Sequence, residues 1–502
     1  MEANKALAEI YAAYRPIAAL QSVLEVLHWD QEVVMPQGAA TQRAEQLAAL
    51  QVTIQEKIMA PALEEALLFV EKETSSLSLI EQADIRELRR AINRAKKLPP
   101  TLVCELARQD VLSVQAWSEA RQKKDFSLFA SSLRRMVELK QQYADALRVG
   151  SSCTRYDALL QEFEPNETED SLRLLFEPLQ ASLVHLIEQI QASSQRFAPN
   201  VLQGVFPIPQ QEALIRYVLN TFGFSFHEGR LDTSTHPFCS GVGTDIRITT
   251  RYDEHDLCEA LFGAFHEVGH ALYEQGIARE RIGTPSGVAA SLGLHESQSR
   301  LWENMIARSL SFWKHFFPIL QSHFSSLQEI SLETFWRTVN RVEASWIRTQ
   351  ADEVTYNLHI LLRFDIERAL IAGDLSVSDL PLAWNSRFER DLGACPPDDA
   401  LGVLQDIHWA SGLFGYFPTY TLGNLYAAQW LQKAEQDLPA LYHAVERGEL
   451  TILREWLRDK IHRHGRTFLA RSLCEKVTGE TLSPLPFVRY LSKKYSEIYA
   501  IS

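Results

Sequence analysis

The stretch DLCEALFGAFHEVGHALYEQG, residues 256–276, shows the pattern that decides the fold. Its apolar side chains recur every three or four positions, which is the spacing of one face of an α-helix. Gly276 is placed to end that helix. The same period predicts helices over seven other segments: 6–27, 80–96, 128–149, 172–190, 301–316, 335–351 and 425–438.

Little interrupts this helical pattern. Pro16 falls inside the first helix, and we expect it to kink or split that helix. No segment is rich in Gly and Ser, and no repeat of about 20 to 50 residues is visible. We therefore predict a predominantly all-α protein that forms one large domain over residues 1–502.

A small β-sheet is predicted near residues 226–252, FHEGRLDTSTHPFCSGVGTDIRITTRY. This segment is rich in Thr, Gly and β-branched residues. Ile246 and Ile248 alternate with Arg247 and Thr249, the period of two that indicates a strand. The sheet therefore directly precedes the helix quoted first.

Composition excludes several classes of protein. The chain has 502 residues, 46% of them apolar, with 50 Lys and Arg against 64 Asp and Glu and a net charge of −14. The apolar fraction is that of a globular protein, and the acidic balance disfavours nucleic-acid and anionic membrane partners. Glu2 and Glu9 indicate an amphipathic N-terminal helix rather than a signal peptide, and no apolar run approaches the roughly 20 residues of a membrane span. The six scattered cysteines lack a C-x-x-C pair, which predicts reduced thiols and a cytoplasmic location.

Residues 266–270, His-Glu-Val-Gly-His, carry the most specific chemical signal. Positions four apart lie on one face of a helix, so His266 and His270 can bind one metal ion. Two neutral imidazoles and an open position are typical of a catalytic zinc site, where Glu267 can take a proton from water. Gly263 and Gly269 are unfavourable inside a helix, which indicates either a packing reason or a close approach of another segment.

A third metal ligand is required. The extended metzincin motif would need Gly at position 273 and His at position 276, but the chain has Tyr273 and Gly276, so that class is excluded. A carboxylate from a second helix is the other common solution. Glu296 lies 26 residues after His270, and Glu303 lies about two turns further on nearly the same face. From spacing alone both remain candidates.

Motifs along nearly the whole chain resemble those of the carboxypeptidase Taq-like metallocarboxypeptidases, peptidase family M32. They are His28-Trp29-Asp30-Gln31, Met35-Pro36, Gly38-Ala39, Tyr156-Asp157-Ala158-Leu159-Leu160, Glu164-Pro165, His236-Pro237-Phe238, Asp245-Ile246-Arg247-Ile248-Thr249, His295-Glu296-Ser297-Gln298, Ile347-Arg348-Thr349-Gln350-Ala351-Asp352, and Gly402 with Gln405-Asp406-Ile407-His408-Trp409.

The resemblance implies a gluzincin-like fold with a long active-site cleft, an N-terminal helical part at about 1–150 and a catalytic part at about 151–502. It implies a homodimer that removes single amino acids from peptides with a free C-terminus. His266, His270 and Glu296 become ligands of one Zn²⁺ per chain, which Co²⁺ or Mn²⁺ can replace. Glu267 becomes the general base. Thermolysin-like enzymes orient a ligand histidine with an Asp where this chain has Arg300, which accepts no hydrogen bond, so the orienting acceptor must come from elsewhere.

Recognition of a terminal carboxylate requires a cation, and Arg is favoured because its planar fork pairs bidentately. Arg247 and Arg348 are the candidates, and the resemblance favours Arg348. Each has a purely structural alternative, a local pair of Arg247 with Asp245 and a helical pair of Arg348 with Asp352.

His408 and Tyr420 are candidate donors to the oxyanion, with core packing as the alternative for the tyrosine. For His236, substrate contact is implied only by the family motif. Two rival functions remain at this point: a zinc oligopeptidase that cuts internal bonds, and a helical scaffold without catalytic activity.

Overall fold

The computed structural model describes residues 3–197, 202 and 204–501. Over these residues twenty α-helices follow one another, α1 to α20 in chain order: Ala3–Val33, Ala40–Ile58, Pro61–Val70, Leu79–Lys97, Pro100–Lys123, Ser127–Leu147, Arg155–Leu160, Glu169–Ala192, Ile208–Phe222, Leu257–Gly276, Leu292–Arg300, Leu310–His323, Leu332–Val339, Tyr356–Ala372, Leu380–Leu392, Pro418–Asp437, Leu441–Val445, Thr451–Lys460, Ala470–Thr478 and Leu485–Tyr499. The predicted predominantly helical class is confirmed.

Two of the predicted helices are interrupted. Over 301–316 the chain forms a π-helical segment, Leu301–Ile306, and α12 starts afresh after Ser309, whose side chain accepts from the Phe312 backbone N–H. Over 335–351 the helix α13 ends at Val339. Asp352 then accepts backbone N–H groups from Glu343, Val354 and Thr355. Such local side-chain bonds compete with helix formation.

Pro16 does not split the first helix. It lies inside α1, which runs unbroken from Ala3 to Val33. A proline removes one backbone hydrogen bond of a helix, so the packing of the surrounding turns holds α1 together here. Ile10 and Ile17, one on either side of Pro16, are both buried.

The predicted small sheet is present and has three strands, β1 (Gly229–Thr233), β2 (Cys239–Val242) and β3 (Asp245–Thr250). Their order is β1-β3-β2, with β1 parallel and β2 antiparallel to β3. Ile246 and Ile248 of β3 are fully buried, as their alternation predicted. The Thr250 hydroxyl donates to the Ala260 carbonyl oxygen at 2.9 Å, which ties the end of β3 to α10.

The chain folds into two compact units, each made of three separate stretches. Unit 1 comprises the described residues of Met1–Lys96, Ala198–Val339 and Gln429–Thr481, and unit 2 those of Lys97–Phe197, Asn340–Ala428 and Leu482–Ser502. Unit 1 therefore contains the sheet, α10 and α11, and unit 2 contains α14 and α15. One domain over 1–502, with parts at about 1–150 and 151–502, stays a prediction.

Within residues 3–197, 202 and 204–501, none of the helices combines the length and the apolar composition needed to cross a bilayer.

Candidate metal centre and buried arginine cluster

Helix α10 holds the two motif histidines of unit 1 in fixed positions. The helix starts at the N-cap Asp256, whose side chain accepts from the Glu259 backbone N–H at 3.1 Å. His266 and His270 follow one another along one face, with their ring centroids 5.0 Å apart. Both side chains are largely buried. The spacing expected from the sequence is therefore realised.

Helix α11 brings Glu296 to these histidines because Gly269 allows it to pack closely. A Cβ atom at Gly269 would lie 2.5 Å from the carbonyl oxygen of Gln298 and 2.5 Å from the Cα atom of Ser299. At Gly263 the nearest atom to such a Cβ would be Pro237 Cγ at 3.4 Å, an ordinary contact. Of the two reasons expected from the sequence, a close approach applies at Gly269, whereas Gly263 has only an ordinary packing contact.

His266, His270 and Glu296 form a cluster that fits a divalent metal ion. One possible ligand atom from each lies within 4.8 Å of the others. Oε2 of Glu296 is 3.2 Å from Nε2 of His270 and 3.5 Å from Nε2 of His266. Ligand atoms at about 2.0–2.2 Å from a tetrahedral Zn²⁺ lie about 3.4 Å apart, so this donor set has the right composition and spacing.

Glu303 supplies the acceptor that the sequence did not identify. Its Oε2 atom lies 2.9 Å from Nδ1 of His266. A proton on Nδ1 donated to this carboxylate leaves the Nε2 lone pair directed at the cluster, which is how carboxylates orient metal-binding histidines. The spacing in the sequence makes Glu303 a rival ligand, whereas in the structure it contacts Nδ1 of His266, on the other side of the ring from the cluster.

Arg300 also has a part in this centre. Its Nε donates to Oε1 of Glu296 at 2.7 Å, and the Ser299 hydroxyl donates to Oε2 at 3.0 Å. The residue that replaces the thermolysin-type Asp therefore orients the glutamate instead of a histidine. Burial opposes ionisation of Glu296, but Arg300 and His266 hold its pKa well below the ordinary value.

His270 lacks a corresponding acceptor, since its Nδ1 atom is buried without a hydrogen-bond partner among the described residues. Its ring instead stacks on that of His295, with centroids 4.4 Å apart. Nε2 of His295 lies 3.0 Å from Oε1 of Glu274. Packing rather than a hydrogen bond therefore sets the orientation of His270.

Glu267 is buried beside the cluster and is suited to proton transfer. Burial raises the pKa of its carboxyl group to about 7; the Glu296 and Glu303 charges act in the same direction, and His266 opposes them. A general base works best when its pKa lies near the operating pH. The side chain can therefore accept and return a proton near neutrality.

Arg247 is already paired on β3. Its Nε and Nη2 atoms each donate to Asp245 at 2.8 Å, and its guanidinium lies 4.3 Å from the centre of the Trp29 ring. The local pair considered from the sequence is thus present, which weakens the case for Arg247 as a carboxylate anchor. His236 is exposed ahead of β2, and its carbonyl oxygen accepts from the Ser234 hydroxyl at 2.6 Å.

Arg348 of unit 2 is buried, and it does not pair with Asp352. It lies in the short 3₁₀ segment Arg348–Gln350 rather than in a helix. Its Nε and Nη2 donate to Oδ1 of Asp406 at 3.1 and 2.8 Å, and its Nη1 donates to the Tyr356 hydroxyl at 3.0 Å. The sequence motif that contains Asp406 did not indicate that Asp406 would form an ion pair with Arg348.

His408 and Tyr420 lie next to each other in unit 2. Nε2 of His408 is 3.4 Å from the Tyr420 hydroxyl, and the Arg348 guanidinium is 5.0 Å from the centre of the Tyr420 ring. Burial lowers the pKa of His408 to about 4, and Asp406 offsets this only in part. The imidazole is therefore neutral at pH 7 and retains one N–H that can donate.

A predominantly helical body with an H-E-x-x-H helix and a His-His-Glu cluster defines the class of metal-dependent peptidases. The chain belongs to the carboxypeptidase Taq (M32) metallopeptidase family, whose model matches residues 9–495. It is therefore a peptide hydrolase of the metallocarboxypeptidase type, and the predicted family and enzyme class are confirmed.

Relatives match over essentially their full length. The chain is 43% identical over 495 residues to thermostable carboxypeptidase 1 of Thermus thermophilus, covering 97% of each chain. It is 36% identical over 503 residues to carboxypeptidase 1 of Bacillus subtilis, covering 100% of both. The crystal structure of the M32 carboxypeptidase from Deinococcus radiodurans R1 is similar with a TM-score of 0.94 and 35% identity, over 99% of this chain and 100% of that chain.

Proposed function

We propose that this metallocarboxypeptidase uses Zn²⁺ held by His266, His270 and Glu296 to release single amino acids from the C-terminus of peptides. One observation carries the proposal: the ligand atoms of these three residues lie within 4.8 Å of one another. Glu267, which follows the first of these histidines, is buried beside them. Co²⁺ or Mn²⁺ would suit similar ligands.

The chain's own residues supply the proton transfer. When bound, the metal would supply Lewis-acid chemistry to the scissile carbonyl and to water. Glu267 accepts the proton of the attacking water and then donates it to the leaving amine. Its pKa of about 7, raised by burial, suits both directions of transfer. Glu303 holds His266 in the tautomer whose Nε2 can bind the metal.

We propose that Arg348 recognises the substrate's terminal carboxylate and that His408 and Tyr420 donate hydrogen bonds to the oxyanion. A buried guanidinium can pair bidentately with a carboxylate, and this pairing would make the enzyme prefer a free chain end. Arg247 and His236 remain proposed substrate contacts with the weaker support of the family motifs, and Arg247 is already occupied by Asp245.

The test is a time course on one peptide with a free or an amidated C-terminus, followed by mass. We expect a ladder of products shortened by one residue at a time from the free peptide, and little reaction of the amidated one. Equal cleavage of both at an internal bond would instead show a zinc oligopeptidase. In Glu267→Gln, we expect bound metal to be retained while turnover falls by about 10²–10⁴.

A cytoplasmic homodimer is also proposed. The location rests on the sequence, whose six cysteines are sparse and scattered, as is usual for proteins of a reducing compartment. The dimer rests on the family resemblance. Light scattering of the purified chain after size-exclusion chromatography tests it, and a mass near 57 kDa would contradict it.

A further inference from the structure

Asp406 lies between two buried arginines of unit 2. Its Oδ1 atom accepts from Arg348, and its Oδ2 atom accepts from Nε of Arg363 at 2.7 Å. All three side chains are at most 13% exposed. Burial alone would raise the pKa of Asp406, but the two guanidinium groups hold it far below its ordinary value.

The cluster formed by Arg348, Asp406 and Arg363 carries a net charge of +1, because Asp406 is the one carboxylate in the described part of the chain that forms an ion pair with either arginine. The buried Glu367 interacts with Arg363 only at longer range: its oxygens accept from the Tyr156 hydroxyl, the Trp409 indole N–H and the Gly415 backbone N–H, and burial raises its pKa to about 7. The nearby His408 and His359 are neutral at pH 7, because burial lowers their pKa values to about 4 and about 3. Buried charges are normally paired, so this excess points to an anion that joins the cluster.

The two arginines differ in what they can offer to that anion. Arg363 is fully buried, its Nη1 donates to the His359 carbonyl oxygen at 2.6 Å, and its guanidinium lies 4.6 Å from the centre of the Trp384 ring. Arg348 uses three of its five N–H groups on Asp406 and Tyr356. One N–H on Nη1 and one on Nη2 remain, which is the two-donor set that a carboxylate accepts.

We propose that Asp406 and Arg363 are positioning residues for recognition of the substrate's terminal carboxylate. Asp406 holds the orientation of the Arg348 guanidinium by accepting hydrogen bonds from its Nε and Nη2 atoms. The positive charge of Arg363 offsets the negative charge of Asp406. The positive charge of Arg348 is therefore not offset by Asp406 and can attract the substrate's carboxylate. This inference rests on the proposed role of Arg348.

The test compares peptide binding as the local charge is changed. Dissociation constants for one peptide, with a free or an amidated C-terminus, are measured by calorimetry in the metal-loaded Glu267→Gln enzyme, which does not consume the peptide. Arg363→Met removes one positive charge. We expect it to weaken binding of the free peptide about tenfold, to leave the amidated peptide unchanged, and to raise KM without changing kcat in the active enzyme.

The double variant Arg363→Met/Asp406→Asn restores one net positive charge, while the introduced amide oxygen can still accept from Arg348. We expect its preference for the free peptide to return to within about threefold of the starting enzyme. A merely structural role for Arg363 predicts the opposite, since the double variant would then be weaker than the single one. If Arg363→Met alone does not fold, the double variant still decides, because the proposal requires it to keep the preference.

Lys494→Met is the matched control, because Lys494 belongs to another buried ion pair of unit 2, with Glu353 at 2.7 Å. It should leave the preference for the free over the amidated peptide unchanged.

An unaltered preference for the free peptide in Arg363→Met would overturn the inference, as would a double variant that binds the free peptide more weakly than Arg363→Met does. If Arg348→Met abolishes the preference while Arg363→Met does not, only this inference fails. If the starting enzyme shows no preference, the proposed function fails.

Discussion

At the scale of single residues, the metal centre depends on contacts made around the ligands as much as on the ligands themselves. Glu303 contacts Nδ1 of His266, and Arg300 contacts the carboxylate of Glu296. Both contacts fix a ligand atom in the orientation that a metal needs. The H-E-x-x-H motif predicts the two histidines, but its spacing says nothing about these partners.

Glu303→Ala is expected to weaken metal binding by about 10–100-fold, because His266 loses the acceptor that orients it. Competition with a chromophoric chelator measures this affinity directly. Glu333→Ala is the control, since Glu333 is an exposed carboxylate on α13 whose ion pair is with Arg337 of the same helix. An unchanged affinity in Glu303→Ala would show that the 2.9 Å contact does not orient the ligand.

At the scale of elements, the period of the apolar residues predicted the helices, and their alternation predicted β3. Neither pattern predicted the two irregular segments, Leu301–Ile306 and the segment after Val339. In a regular α-helix, Glu296 and Glu303 would lie about two turns apart on one face. The π-helical segment Leu301–Ile306 has more residues per turn than an α-helix, so Glu303 does not lie on the same face as Glu296 in the way that a regular α-helix predicts. The segment after Val339 is shaped by hydrogen bonds to Asp352, which a local apolar period cannot reveal.

The packing of α10 on α11 gives a prediction at this scale. Gly269→Ala should destabilise the protein by about 1–3 kcal/mol, because its Cβ would overlap the backbone of Gln298 and Ser299. Gly263→Ala has room for its Cβ and should be neutral or stabilising by up to about 1 kcal/mol, since alanine is the better helix former. Denaturant unfolding of the two variants measures the difference.

Equal effects of the two substitutions on the free energy of unfolding would contradict this account of the helix contact. Gly269→Ala should also weaken metal binding, because α11 carries Glu296. Gly263→Ala should leave metal binding unchanged.

At the scale of the whole molecule, buried neutral histidines link stability to pH. His359 is fully buried in unit 2, and burial lowers its pKa to about 3. In the unfolded chain a histidine has a pKa of about 6.5. The unfolded state therefore binds more protons between these values. The stability that neutral His359 contributes is present above pH 6.5 and is lost as the pH falls toward 3.

His359→Leu should reduce this acid sensitivity. Each such histidine contributes a slope of up to about 1.4 kcal/mol per pH unit to the free energy of unfolding. Urea unfolding at several pH values from 6.5 down to 4 should show a shallower decline in the variant than in the wild type. Parallel declines would mean that His359 is already protonated in the folded protein, or that it is solvated.

The central claim is that His266, His270 and Glu296 hold one catalytic metal ion. Native mass spectrometry of the chain reconstituted with one equivalent of Zn²⁺ tests it most directly. We predict one Zn²⁺ per chain in the wild type and in Glu267→Gln, and loss of that ion in Glu296→Ala under the same conditions. Full retention of Zn²⁺ in Glu296→Ala, or its absence from the wild type, would contradict the account.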